Sequence, residues 1–111
     1  MTSYIDEFTR PINLCPSTTA LIVVDMQYAS GSRAYGLGKL LNDQGRLDSA
    51  QYRFDRIENL IIPNTQKLLT HFRAVQARVI YLTVGSVMSD YSDAPAHMRR
   101  FFEATNNHDG T

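Results

Sequence analysis

The apolar run Ala20-Leu21-Ile22-Val23-Val24 ends abruptly in Asp25-Met26-Gln27, and this junction constrains the chain more than any other stretch. Five apolar residues without alternation predict a strand buried on both faces, the pattern of parallel sheets covered by helices on each side. Asp25 then stands at the carboxyl end of that strand, where open α/β sheets bind their ligands. Aspartate is also a common turn and N-cap residue. The spacing alone leaves both roles open.

Before the strand, residues 1–18 carry Pro11 and Pro16 among polar side chains, with apolar anchors at Ile5, Phe8, Ile12 and Leu14. They read as an irregular arm laid across the domain. After it, residues 28–51 are rich in Gly and Ser and read as a long loop of the kind that lines a binding site. Two nucleotide motifs fail on spacing. Gly38-Lys39 is followed by Leu40 rather than Ser or Thr, and Leu41 stands where a dinucleotide fingerprint needs its third glycine.

From about Tyr52 to Gln76, Ile57, Leu60, Ile61, Leu68, Leu69, Phe72 and Val75 recur at helical spacing. Pro63 predicts a kink or a restart near Ile62-Pro63-Asn64, and Arg73 and Arg78 suit the negative end of the helix dipole. Val79 to Val84 predicts a second strand, which makes a βαβ unit with the two strands parallel. Gly85 and Ser86 then emerge at the same sheet edge as Asp25. A short helix over Ala96–Ala104 and a solvated polar tail containing His108 and Asp109 close the chain.

A single domain spanning 1–111 follows, with an arm (1–18), a βαβ core (19–86) and a loop with a short helix (87–111). Eleven basic side chains balance eleven acidic ones, so no nucleic-acid or anionic-membrane partner is implied. The longest apolar run is far too short to cross a bilayer and the N-terminus lacks a signal peptide's apolar segment, which predicts a cytoplasmic location. Cys15, the only cysteine, suits a reducing compartment and reads as a small buried filler. His71, His97 and His108 lack ligand spacing, so no metal or other cofactor is expected. Two strands and one long helix do not cover both faces of a sheet. The chain is therefore expected to pair with something, as a homo-oligomer or with a complementing chain, or to be an incomplete piece of a larger domain.

In combination, Leu21-Ile22-Val23-Val24-Asp25-Met26-Gln27, Ile61-Ile62-Pro63-Asn64-Thr65-Gln66-Lys67-Leu68-Leu69 and Val79-Ile80-Tyr81-Leu82-Thr83 resemble the isochorismatase-like cysteine hydrolases over roughly residues 19–86. The likeness corresponds to the N-terminal half of that family's domain. It implies a Rossmann-like, three-layer α/β/α fold with a mainly parallel sheet, and a Cys-Lys-Asp triad hydrolysing amide C–N bonds of small molecules such as nicotinamide, ureido or biuret-like compounds. The triad's Asp falls on Asp25. Gln27, Tyr28 and Ser86 would border the substrate, each more readily as support than as direct contact, and Arg33, Arg99 and Arg100 are available to an anionic group. Neither Lys39 nor Lys67, the only lysines, matches the family's lysine, and Cys15 precedes the first strand rather than following a late one. The thiol and lysine are thus expected on a missing C-terminal half or a complementing chain, with the isolated 111 residues inactive. A non-catalytic interaction or dimerisation protein that uses an uncovered sheet face is the other expectation.

Overall fold

The computed structural model describes residues 2–109; Met1, Gly110 and Thr111, the ends of the expected arm and tail, lie outside the described residues. Strands β1 (Ala20–Val24) and β2 (Arg78–Leu82) pair in parallel, with Ala20 opposite Arg78 and Val24 opposite Leu82. The chain is mixed α/β, about 52% helix around a two-stranded parallel sheet. Arg78, expected beside the helix end, instead opens β2.

Parallel neighbours require a crossover, and one long helical stretch supplies it. Helix α3 (Gln51–Arg56), a π-helical turn (Ile57–Ile61) and α4 (Ile62–Ala74) follow one another directly. Proline has no N–H to give, and its ring crowds the carbonyl four residues back. The turn ahead of Pro63 accordingly widens to π spacing, which is the form the expected kink takes. Gln76 ends the helix in the left-handed region (φ 58°). The Ala77 N–H reaches Phe72 O at 2.9 Å and the Gln76 N–H reaches Arg73 O at 3.1 Å, a closing motif that turns the chain straight into β2.

Among the described residues, one face of the sheet is covered. Leu21, Val23 and Val79 turn inward toward α4, with Val23 buried. Ile22, Val24, Ile80 and Leu82 point the other way and keep 36–56% of their surface exposed. The expectation of burial on both faces is corrected: among the described residues α4 packs on one face of this sheet, and strand alternation sends every second side chain to the opposite side. The arm departs from expectation too. Residues 2–18 form 3-10 turns at Tyr4–Glu7 and Pro16–Thr18 but bury nothing, so Ile5, Phe8, Ile12 and Leu14 stay 51–80% exposed. Cys15, expected as a filler, is exposed because the arm carrying it leaves the body.

The Gly-rich segment after β1 is mostly helical rather than a loop. It holds α1 (Tyr28–Gly31) and α2 (Gly36–Asp43), followed by a 3-10 turn at Leu47–Ala50. Its glycines mark close packing. Gly36 sits at φ 49° with its Cβ position 2.2 Å from Ala29 O, and a Cβ on Gly38 would stand 2.3 Å from the carbonyl oxygens of both Arg33 and Ser32. Gly38→Ala is expected to destabilise the chain by about 1–3 kcal/mol through overpacking, read as a lower denaturation midpoint with unchanged far-ultraviolet dichroism.

Buried side chains form two small groups. Phe54, fully buried, lies with Ile57, Leu41 and Val23 in the chain's helical tier, while Tyr91, Ala94 and Phe102 pack with Met98 around α5 (Ala96–Ala104). The radius of gyration is 18.3 Å, against about 13 Å for a compact chain of this length. The exposed surface is 8691 Å², where a compact protein of this mass exposes roughly 6,200 Å².

Candidate functional site

The carboxyl ends of β1 and β2 form one rim, and the turn after β1 shapes it. The Asp25 N–H donates to Leu82 O at 2.8 Å, the last rung of the ladder. Asp25 itself adopts φ 57°, a left-handed conformation uncommon for any residue with a side chain but tolerated best by Asp and Asn. The Gln27 N–H then returns to Asp25 O at 3.0 Å, which closes the turn. The Asp25 side chain is exposed and makes no hydrogen bond or ion pair among the described residues. It caps nothing: the N-cap of α1 is Gln27, which makes no side-chain capping bond either.

Gln27 has a different task. Its Nε2 donates to Val84 O at 2.8 Å and its Oε1 accepts from the Val84 N–H at 2.9 Å. The side-chain amide thus acts as a peptide unit, adding a rung beyond the end of β2 and tying the two post-strand turns together. Tyr28, the next residue, is exposed and meets Tyr35 in a tilted ring contact with centroids 5.2 Å apart.

Asn107 and His108 reach this rim from the far end of the chain. Asn106 ends α5 at φ 52°, and the Asn107 N–H bonds back to Phe102 O at 2.8 Å. The tail then runs alongside Ser86, with the Ser86 N–H on Asn107 O at 3.1 Å and the Asp109 N–H on Ser86 O at 2.9 Å. Asn107 Nδ2 donates to Val84 O at 2.8 Å, and its Oδ1 lies 2.5 Å from where a Cβ on Gly85 would stand. The His108 ring meets Tyr91 edge-on at 5.5 Å. This corrects the expected solvated tail, because backbone pairing with Ser86 holds it through Asp109. Nothing in the tail's polar composition signals this, although an Asn directly after a helix is a left-handed cap residue.

Ser86 is buried, and its hydroxyl is engaged by the Asp93 carboxylate and by Met88 O at 2.7 Å. Asp93 also accepts from the Val87 N–H at 2.8 Å. These bonds to Ser86 and to backbone amides hold the Asp93 carboxyl below its ordinary value. A carboxylate whose pKa is depressed in the folded state stabilises at pH above its unfolded value, and the contribution fades as pH falls through the folded value. The 86–93 loop is therefore expected to loosen as the solution is acidified below about pH 4, read as faster amide exchange at Val87. Asp93→Asn removes that pH dependence.

Gln27, Tyr28, Gly85, Asn107 and His108 line a depression of about 480 Å³ at this rim. A larger groove, about 730 Å³, runs from Met26 and Tyr28 along Ile57, Ile62 and Leu69. Asp25 lines neither. Arg33, expected to be open to an anionic group, lies in the groove wall already neutralised. It pairs with Asp55 at 2.8 Å and Glu58 at 2.9 Å and rests 5.4 Å from the centre of the Phe54 ring. Glu58 foremost, with Asp55, raises its pKa above the ordinary value. Arg99 turns toward the Ser92 and Ala94 carbonyls, at 3.4 Å each, and Arg100 is exposed.

Cys15 stands at the opposite end of β1 from Asp25. A 3-10 turn and the whole of β1 lie between them, and the five strand residues alone span roughly 16 Å at about 3.3 Å per residue. The Ser17 hydroxyl, 3.1 Å from its sulfur, lowers the thiol's pKa. Among the described residues no group of three or more His, Cys, Asp or Glu gathers to hold a metal, and no helix is long and apolar enough to cross a membrane.

Fold and site together define a class: a mixed α/β chain with an exposed aspartate, Asp25, at the carboxyl end of a parallel strand pair. No protein-family model, curated protein or solved structure matches the chain.

Proposed function

We propose that this chain carries the aspartate of a cysteine hydrolase of the isochorismatase-like class, which cleaves the C–N bond of a small amide. The observation that carries this reading is the Asp25 carboxylate. It is held in a left-handed backbone conformation at the end of a parallel strand, and it makes no local hydrogen bond. A capping aspartate would be bonded to backbone N–H groups of the next turn. This one is left available for proton transfer, and non-glycine residues held at such angles cluster at functional sites.

Asp25 serves as the base. It takes the proton of a cysteine thiol, the thiolate attacks the amide carbon, and a lysine stabilises the thiolate. The C–N bond breaks as the leaving amine receives the proton, and water then hydrolyses the thioester to the acid. The thiol and lysine are assigned to polypeptide other than residues 1–111, because Cys15 precedes β1 while Asp25 follows it, Lys39 is paired with Asp43 at 2.6 Å, and Lys67 lies exposed on α4, the crossover helix. The fold we assign with this activity is the three-layer α/β/α sandwich, with α4 in one helical layer. Gln27 and Asn107 position the rim, and Tyr28 borders the substrate.

The test is ammonia release from nicotinamide, ureido and biuret-type amides by the product of the whole reading frame. Release blocked by iodoacetamide, with a thioester adduct in the mass spectrum, is the expected result. No release from a folded whole product overturns the reading. Turnover by residues 1–111 alone overturns the placing of the nucleophile elsewhere.

A second reading is favoured by the uncovered face of Ile22, Val24, Ile80 and Leu82 together with the large exposed surface. On that reading the chain is an interaction protein that completes its layers with a partner, and Asp25 is a turn residue only.

A further inference from the structure

We infer that two copies of this chain exchange their N-terminal arms, each arm lying over the uncovered sheet face of the other; this rests on the second reading above and names its partner. The arm presents Ile5, Phe8, Ile12 and Leu14 to solvent, while Ile22, Val24, Ile80 and Leu82 present a matching apolar face. Among the described residues, both surfaces stay exposed within one copy.

The arm's exit is fixed. Cys15 O accepts from the Thr18 N–H at 3.0 Å, the Thr18 hydroxyl at 3.3 Å and the Thr19 hydroxyl at 2.7 Å, and Pro16 opens the turn between. Residues 2–14 ahead of that pinned turn all stay exposed, and exchange of an identical element between protomers is a low-cost route to a dimer. The arm is long enough: the 13 described residues ahead of the pinned turn extend to at most about 47 Å, well beyond the roughly 16 Å length of the five-residue strands they would cross.

Area argues for a second copy. The surface in excess of a compact chain is about 2,500 Å² per copy. Mutual burial of that excess removes roughly 5,000 Å² in total, the range of obligate homodimers and far above a passing contact. The chain's balanced charge, eleven basic and eleven acidic residues, sets no repulsion between copies.

Sedimentation equilibrium of the 111-residue chain is expected to return twice its 12.6 kDa mass, and the chain lacking residues 2–18 the single mass. The arm buries no side chain in its own body, so its removal leaves that body intact. Phe8→Asp with Ile12→Asp is expected to raise the dimer dissociation constant more than about tenfold. A mixed sample locates the contact. One population is methyl-labelled, and the other carries a nitroxide at Arg10→Cys in a Cys15→Ser background. The Ile22, Ile80 and Leu82 methyls should broaden beyond detection while Leu41, in the helical tier, is unchanged. A dimer that survives loss of the arm, or broadening confined to other residues, overturns the exchange and leaves the second reading standing. So does a face occupied by a different protein in place of a second copy. A full chain that stays monomeric and binds no other protein overturns both.

Discussion

Asp25→Asn is expected to lower amide hydrolysis by the whole protein by roughly 10²–10⁴-fold, the usual contribution of a positioned base, while leaving the fold unchanged. The choice of asparagine matters. Asp25 holds φ 57°, and asparagine occupies that left-handed region as readily as aspartate. The substitution removes the charge and the proton acceptor without disturbing the turn. Asp25→Ala would add about 1–2 kcal/mol of backbone strain and confound the result. No other described side chain bonds to this carboxylate, so the stability of Asp25→Asn should stay within about 0.5 kcal/mol of the parent. Ammonia release and a denaturation curve on the same preparation separate the two effects. Retained activity would remove Asp25 from the chemistry and assign the base to another group, whereas absence of activity in the parent as well would favour the interaction reading.

The largest loss of stability is expected at Phe54. Its ring is fully buried, with Arg33 on its face 5.4 Å from the ring centre. Arg33 is in turn held by Asp55 and Glu58, while Arg53 donates to Ser30 O at 2.8 Å. One side chain therefore supports the junction between the turn after β1 and the helix that returns to β2. Phe54→Ala should cost about 3–5 kcal/mol from lost burial and the cavity left behind. Small domains have only about 5–15 kcal/mol in total, and each kcal/mol moves the midpoint by about 4–8 °C. Thermal melting should then shift down by about 12 °C or more. A shift of a few degrees would mean that the tier around Phe54 is loosely packed and that the rim draws its rigidity from elsewhere.

Features that rest on short-range pattern were legible in the sequence. The apolar run identified β1, helical spacing identified α4, and Pro63 marked the irregularity ahead of it. Ala96–Ala104 has the anticipated bounds. The segment after β1 was misread because glycines ordinarily signal loops, whereas Gly36 and Gly38 are there to let two helices approach. At the site, the place of Asp25 at the strand's carboxyl end was legible, but its left-handed backbone was not. Nor was the use of Gln27, whose amide bonds a residue 57 positions away.

The order of apolar and polar residues determined the strands, the crossover helix and the rim at which Asp25 stands, because propensity and periodicity act within a few turns of chain. Only the tertiary structure decided the rest. α4 covers one face of the sheet and leaves Ile22, Val24, Ile80 and Leu82 bare, the arm stays off its own body, and the tail returns to Ser86. Each of these depends on which distant surfaces meet, and contacts between distant surfaces leave no periodic trace in the residues that make them.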